Sequence, residues 1–130
     1  MEFLKQRINR ATYWLCIAVL LALGVAASIF NVSAGGISLA FAIPYILRMH
    51  DLGWTGKWVL LVYVLQFACG IAMAVTLSPD SLLVGLGVVG LAVSAWIILL
   101  GSLRGQAAPN SYGEPPPPGI ISFKGGETTK

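Results

Sequence analysis

Four apolar stretches divide this chain, and short polar segments separate them. The apolar stretches cover residues 13–30, 32–47, 58–77 and 82–103. A helix needs about 20 apolar residues to cross a hydrocarbon layer of about 30 Å. The pattern therefore predicts an all-α membrane protein built as a bundle of four transmembrane helices. The second stretch is shorter and contains Pro44, so the prediction that it crosses the membrane rests on the charges around it.

The basic residues follow the same division. All eight Lys and Arg residues lie before the first stretch, between the second and third, or after the fourth. Basic loops stay on the cytoplasmic side when helices insert into a membrane. The distribution predicts that both termini and the loop over residues 48–57 are cytoplasmic. If residues 32–47 did not cross, the basic residues would be divided between the two sides.

The composition changes after the fourth stretch. Residues 117–130 are rich in Gly, Pro and polar residues and show no helical periodicity. Such a composition is typical of disordered segments. We therefore predict a transmembrane domain over residues 1–116 and a disordered cytoplasmic tail over residues 117–130.

Composition also limits the classes of partner that we expect this protein to have. A chain that is 57% hydrophobic and 10% charged does not form an ordinary soluble core. The net charge of +3 is explained by topology and by attraction to anionic lipid headgroups, so we expect membrane lipids and no nucleic acid as partners. Small residues one turn apart, such as Gly90 and Ser94, allow close helix approach within the bundle, in a homo-oligomer or against another membrane protein. Gln66 lies near the middle of a predicted span, where we expect it to hydrogen-bond across helices.

The loop between the second and third stretches holds the densest group of polar residues. Arg48, His50 and Asp51 come at the end of the second predicted helix, and Gly53 and Gly56 permit tight turns after it. His50 is the only histidine in the chain. A metal site needs several converging ligands and a nucleophile needs a nearby base, so we predict no metal, no cofactor and no catalytic residue.

Three motifs carry a resemblance to a known family. They comprise Arg7, Arg10, Tyr13 and Trp14; then Arg48, His50, Asp51, Gly53, Thr55, Gly56 and Trp58; then Asn110, Tyr112, Gly113 and Pro116. In order and spacing these motifs resemble domain of unknown function 805, a family of small bacterial inner-membrane proteins. The resemblance implies a multi-pass protein of the bacterial inner (plasma) membrane, and it implies no reaction.

Two interpretations of the polar residues stay open. In one, they form a structural lock in which Asp51 pairs with Arg48 or with Arg7 and Arg10. In the other, they form a cytoplasmic-face site for a lipid headgroup or a partner protein. The candidate binding residues are Arg7, Arg10, Arg48, His50, Asp51 and Asn110, and the structural or interfacial residues are Tyr13, Trp14, Gly53, Gly56, Trp58, Gly113 and Pro116.

The predicted function is that of a structural, interaction or lipid-contacting component of the membrane with a polar cluster on its cytoplasmic face. A small membrane enzyme acting on lipid and an accessory subunit of a transporter are the alternatives.

Overall fold

Helices make up most of the protein. The computed structural model describes residues 6–32 and 35–120, and over these residues it contains helices and no strand. The helices are α1 (Arg10–Ile29), α2 (Gly35–Ala40), α3 (Ala42–Asp51), α4 (Lys57–Thr76) and α5 (Pro79–Ser102). The predicted all-α class is confirmed.

Three of the helices are long and apolar enough to cross a membrane. They are α1 and α4, with 20 residues each, and α5, with 24 residues. Their bounds lie within three residues of the predicted first, third and fourth stretches. The prediction of a membrane protein is confirmed in this form.

The second apolar stretch forms two short helices instead of one. α2 ends at Ala40 and α3 begins at Ala42, with a turn at Phe41 between them. Pro44 explains the break, because a proline has no N–H for the carbonyl four residues earlier and its ring clashes with that carbonyl. That carbonyl belongs to Ala40, the last residue of α2. Neither helix is long enough by itself to cross a membrane.

Local sequence signals set the helix ends. Asn9 caps α1, because its side-chain oxygen accepts a hydrogen bond from the backbone N–H of Thr12 at 2.9 Å. Ser78 caps α5 through the N–H of Ser81, and Pro79 occupies the first turn, where its missing N–H costs nothing. After α3 the chain turns at Gly53, whose φ of 77° lies in the left-handed region that favours glycine.

The start of α1 and the ends of α3 and α5 meet at one end of the bundle, which we call the polar end. The Arg48 guanidinium, near the end of α3, donates to the carbonyls of Ile8 and Leu100 at 3.2 and 3.0 Å. The buried apolar side chains cluster towards this end and include Ile8, Tyr13, Leu47, Met49 and Leu100. Along most of α4 and α5 the apolar side chains are exposed, as lipid-facing helices require.

The chain after the predicted domain boundary contacts the start of α1. The side-chain amide of Asn9 donates to the carbonyl of Pro117 at 2.7 Å and to that of Gly119. Pro117 and Gly119, within the predicted tail, therefore contact the polar end. The rest of the predicted tail, residues 121–130, lies outside the described residues, and its disorder stays a prediction.

Candidate functional site

The polar residues singled out in the sequence come from three separate segments. Arg7 precedes the cap of α1, and Arg48, His50 and Asp51 occupy the last turn of α3. Asn110 lies in the segment that follows α5. The fold brings these five residues together at the polar end, and we call them the polar cluster.

Asp51 lies between two arginines. Its Oδ1 accepts from Nε and Nη2 of Arg7 at 3.2 and 3.1 Å, and its Oδ2 accepts from Nη1 of Arg48. All three side chains are at most 4% exposed. Of the three arginines left open by the sequence as partners, Asp51 pairs with Arg48 and Arg7 and not with Arg10. Two donors of Arg7 thus converge on one carboxylate oxygen and Arg48 takes the other, and charge-assisted bonds of this kind are stronger than neutral ones.

The remaining donors of both arginines bond to backbone carbonyls. Arg7 donates to the carbonyls of Ala108 and Gly113 at 3.1 and 3.0 Å, and to that of Gln106. Arg48 donates to Leu103 as well as to Ile8 and Leu100. Since the last carbonyls of a helix have no partner within the helix, Arg48 caps α5 from outside. The two guanidinium groups therefore tie the chain before α1 and the end of α5 to α3.

Two residues that the sequence did not single out complete this arrangement. The backbone N–H of Gln106 donates to the carbonyl of Asp51 at 2.9 Å, and its side-chain oxygen accepts from Asn110. Gly105 lies so close to the Asp51 carboxylate that a Cβ there would overlap it. Neither residue carries a charge or belongs to a periodic pattern, so no sequence signal marked them.

His50 is held by packing. Its ring stacks on that of Tyr112 with 3.8 Å between centroids and 8° between planes. Its Nδ1 is buried and has no hydrogen-bond partner among the described residues. Burial lowers the pKa of His50 below its usual 6.5, and a contact with the backbone of Gln6 opposes that shift.

Asn110 forms a tight turn that presents Tyr112 to His50. The backbones of Asn110 and Gly113 exchange hydrogen bonds of 3.1 and 3.0 Å, and the Asn110 side chain accepts from the N–H of Tyr112 at 2.9 Å. Its amide donates to the carbonyl of His50 at 3.0 Å. Gly113 has a φ of 117°, a backbone conformation that residues other than glycine rarely adopt. The third motif therefore serves to dock the chain after α5 onto the end of α3.

Arg10 differs from the other arginines. It is exposed and makes no ion pair or hydrogen bond with the described residues. It lines a polar pocket of about 210 Å³ together with Asn9, Gln106 and Pro116. Arg48 and Asp51 form part of the pocket wall. Arg10 is thus the candidate arginine whose donors have no partner among the described residues.

The remaining predicted structural residues are spread around the polar end. Trp14 and Trp58 are exposed, as interfacial residues are, whereas Tyr13 is fully buried and donates from its hydroxyl to the carbonyl of Ile97 at 3.1 Å. Gly53 lies against the side chain of Gln106, and Gly56 against Ile46 and His50.

No family model matches this chain, and no curated protein or solved structure matches it either. The resemblance to domain of unknown function 805 stays a prediction based on the three motifs.

Proposed function

We propose that this chain is a four-span protein of the bacterial inner membrane with both termini in the cytoplasm. Support comes from the directions of the helices. α1 starts at the polar end, and α4 starts there as well, because Gly56 at its N-cap lies against His50. If α1 and α4 both leave from one side, residues 30–51 must return the chain across the membrane. α2 and α3 in series make up that return.

The orientation follows from the basic residues. Lys57 and Arg104 flank the polar end, where Arg7, Arg10 and Arg48 also lie, and this side would face the cytoplasm. A reporter active only in the periplasm, fused after Phe30, Gly53, Pro79 or Gly105, tests the topology. We expect activity after Phe30 and Pro79 only. Activity after Gly53 would contradict the four-span arrangement.

At the polar end the protein acts as a non-catalytic component that binds an anionic lipid headgroup. The observation that carries this proposal is the contrast between Arg10 and its neighbours. Asp51 neutralises one of the charges of Arg7 and Arg48, and backbone carbonyls take their remaining hydrogens. The donors of Arg10 bond to no described residue, and its side chain lines a polar pocket. A lipid phosphate supplies the acceptors that these donors lack.

The polar cluster itself serves as the lock that shapes this pocket. Its charges are too deeply buried and too fully bonded to receive a phosphate without losing the contacts that join α1, α3 and α5. The two interpretations of the sequence thus apply to different residues, with the lock formed by Arg7, Arg48 and Asp51 and the contact made by Arg10.

The test compares two identical substitutions. Arg10→Gln and Arg104→Gln each remove one exposed basic residue from the same side, but only Arg10 lines the pocket. Native mass spectrometry of the purified proteins with added phosphatidylglycerol measures the bound lipid, and phosphatidylcholine serves as the neutral lipid. We expect Arg10→Gln to weaken phosphatidylglycerol binding about fivefold, the equivalent of about 1 kcal/mol per basic residue. If both substitutions weaken phosphatidylglycerol binding equally, the effect comes from general surface charge, and the proposed site at Arg10 is wrong.

A further inference from the structure

A second cavity lies between the helices, away from the polar end. It has a volume of about 690 Å³. All five helices and the turn between α2 and α3 contribute to its lining, which includes Phe41, Tyr63 and Val93. This volume is within the range of small-molecule sites, about 300–1,000 Å³. The walls are mostly apolar, and no described residue that lines the cavity carries a charge. A ligand here would therefore be uncharged.

Three side chains in this cavity have hydrogen-bond donors without partners. They are the Tyr45 hydroxyl, the Gln66 amide and the Trp96 indole N–H, none of which bonds to another described residue. Tyr45 is only 6% exposed and Gln66 is exposed, so in a membrane these donors face the cavity and the lipid hydrocarbon, which offer no acceptor. The other polar residues differ, since Tyr63 donates to the carbonyl of Ser38 and Ser94 to that of Gly90. An unpaired polar group in a hydrocarbon environment costs several kcal/mol, so a ligand that accepts hydrogen bonds from these donors would be stabilised in the cavity.

The depth of these donors excludes the headgroup of a phospholipid. At 1.5 Å per residue, Gln66 lies about 13 Å along α4 from its start at Lys57. Tyr45 lies about 9 Å from the end of α3, and Trp96 about 9 Å from the end of α5. Half of the hydrocarbon thickness is about 15 Å, so the donors are within one leaflet and below its headgroups. A phosphate at this depth would have no counter-charge.

We propose that this cavity binds a neutral membrane lipid whose carbonyl oxygens accept hydrogen bonds from Tyr45, Gln66 and Trp96. An acceptor is required because the indole N–H only donates, and a carbonyl oxygen has two lone pairs and no proton of its own to satisfy. A quinone and a diacylglycerol both offer such an oxygen without a charge. The apolar walls would take the tail of either lipid.

The experiment uses the full-length protein in nanodiscs of phosphatidylcholine. A short-tailed benzoquinone and dioleoylglycerol are titrated separately, and native mass spectrometry after release into mild detergent records the bound ligand and the oligomeric state. We expect saturable binding of at least one probe, and the tighter probe identifies the source of the carbonyl. Tyr45→Phe and Gln66→Leu should each weaken binding about two- to tenfold, the net effect of one hydrogen bond.

Three controls make the result specific. Tyr63→Phe removes a hydroxyl from the same cavity that already bonds to Ser38, so it should leave binding within twofold of wild type. Ala92→Trp fills the cavity from α5 and should abolish binding, whichever donor matters most. Arg10→Gln should have no effect, so failure at the polar end and failure in this cavity are distinguishable.

Several outcomes would overturn the proposal. One is the absence of saturable binding for both probes, and another is equal binding by wild type, Tyr45→Phe and Gln66→Leu. A dimer that Gln66→Leu dissociates would assign the free donors to a second copy of the chain. If phosphatidylcholine stays in the cavity and neither probe displaces it, the cavity binds an ordinary phospholipid acyl chain.

Discussion

The ion-paired part of the polar cluster, Arg7, Arg48 and Asp51, and the intramembrane cavity are opposite solutions to placing polar groups in an apolar protein. In the cluster, Arg7, Arg48 and Asp51 are almost completely buried, and their charged groups have partners on three segments of the chain. In the cavity, Tyr45, Gln66 and Trp96 carry no charge and have no partner among the described residues. A satisfied network fixes the structure, whereas unsatisfied donors are available to a ligand. Burial of polar residues is therefore a poor guide to function unless their hydrogen bonds are counted.

The strongest test of this difference removes the charge at the centre of the cluster. Asp51→Asn leaves two buried guanidinium groups without a carboxylate, and breaking a buried pair in this way costs about 3–5 kcal/mol. Thermal and chemical unfolding in mild detergent measure the change in the free energy of unfolding. Asp80→Asn is the matched control, because Asp80 is exposed in the first turn of α5 and its favourable position there contributes about 0.3–1 kcal/mol.

The proposed difference between the cluster and the cavity is wrong if Asp51→Asn and Asp80→Asn lower the free energy of unfolding by the same amount. A cost below about 1 kcal/mol for Asp51→Asn would mean that the arginines keep their bonds to backbone carbonyls without the carboxylate. The cluster would then be free to exchange partners, and its residues would again be candidates for ligand binding.

Steric fit around Asp51 gives a second, smaller effect. A Cβ at Gly105 would overlap the Asp51 carboxylate, so Gly105→Ala must displace either the chain after α5 or the ion pair. Overpacking of this kind costs about 1–3 kcal/mol. Gly87→Ala, in α5, is the control because a Cβ there meets no atom within 4 Å. We expect the control to be neutral or stabilising, since alanine is the better helix former, and unfolding in detergent compares the two. A neutral Gly105→Ala would show that the packing around Asp51 yields easily.

Sequence reasoning was most successful where one property repeats along the chain. Long apolar stretches predicted α1, α4 and α5 to within three residues, because length and hydropathy alone decide whether a helix can span a membrane. The break at Phe41 was missed. Its cause, Pro44, was visible, but the apolar pattern treats residues 32–47 as continuous and does not show which carbonyl loses its partner.

The candidate site was predictable in its charged residues and not in its neutral ones. The spacing of Arg48 and Asp51 indicated a pair, and the motif that includes Asn110 indicated a third segment. Gly105 and Gln106 act through close backbone approach, which leaves no mark in composition or periodicity. The cavity depends on how helices pack against one another. The expectation that Gln66 bonds across helices is wrong for the described residues, because none of them offers it a partner.

The smallest expected effect is also the one that compares the two regions most directly, because it uses one substitution in both. Gln66→Leu removes an unpaired amide from the cavity, and Gln106→Leu removes an amide whose oxygen accepts from Asn110 at 2.9 Å. We expect Gln106→Leu to cost about 1 kcal/mol, the net value of one hydrogen bond. Gln66→Leu should be neutral or stabilising by up to about 1 kcal/mol, since an apolar side chain suits the cavity better than an unpaired amide. Unfolding of both variants without added lipid probes measures whether each substitution lowers or raises the free energy of unfolding. Destabilisation by Gln66→Leu would reveal a partner for Gln66 in the folded protein, and dependence of that loss on protein concentration would identify the partner as a second copy of the chain.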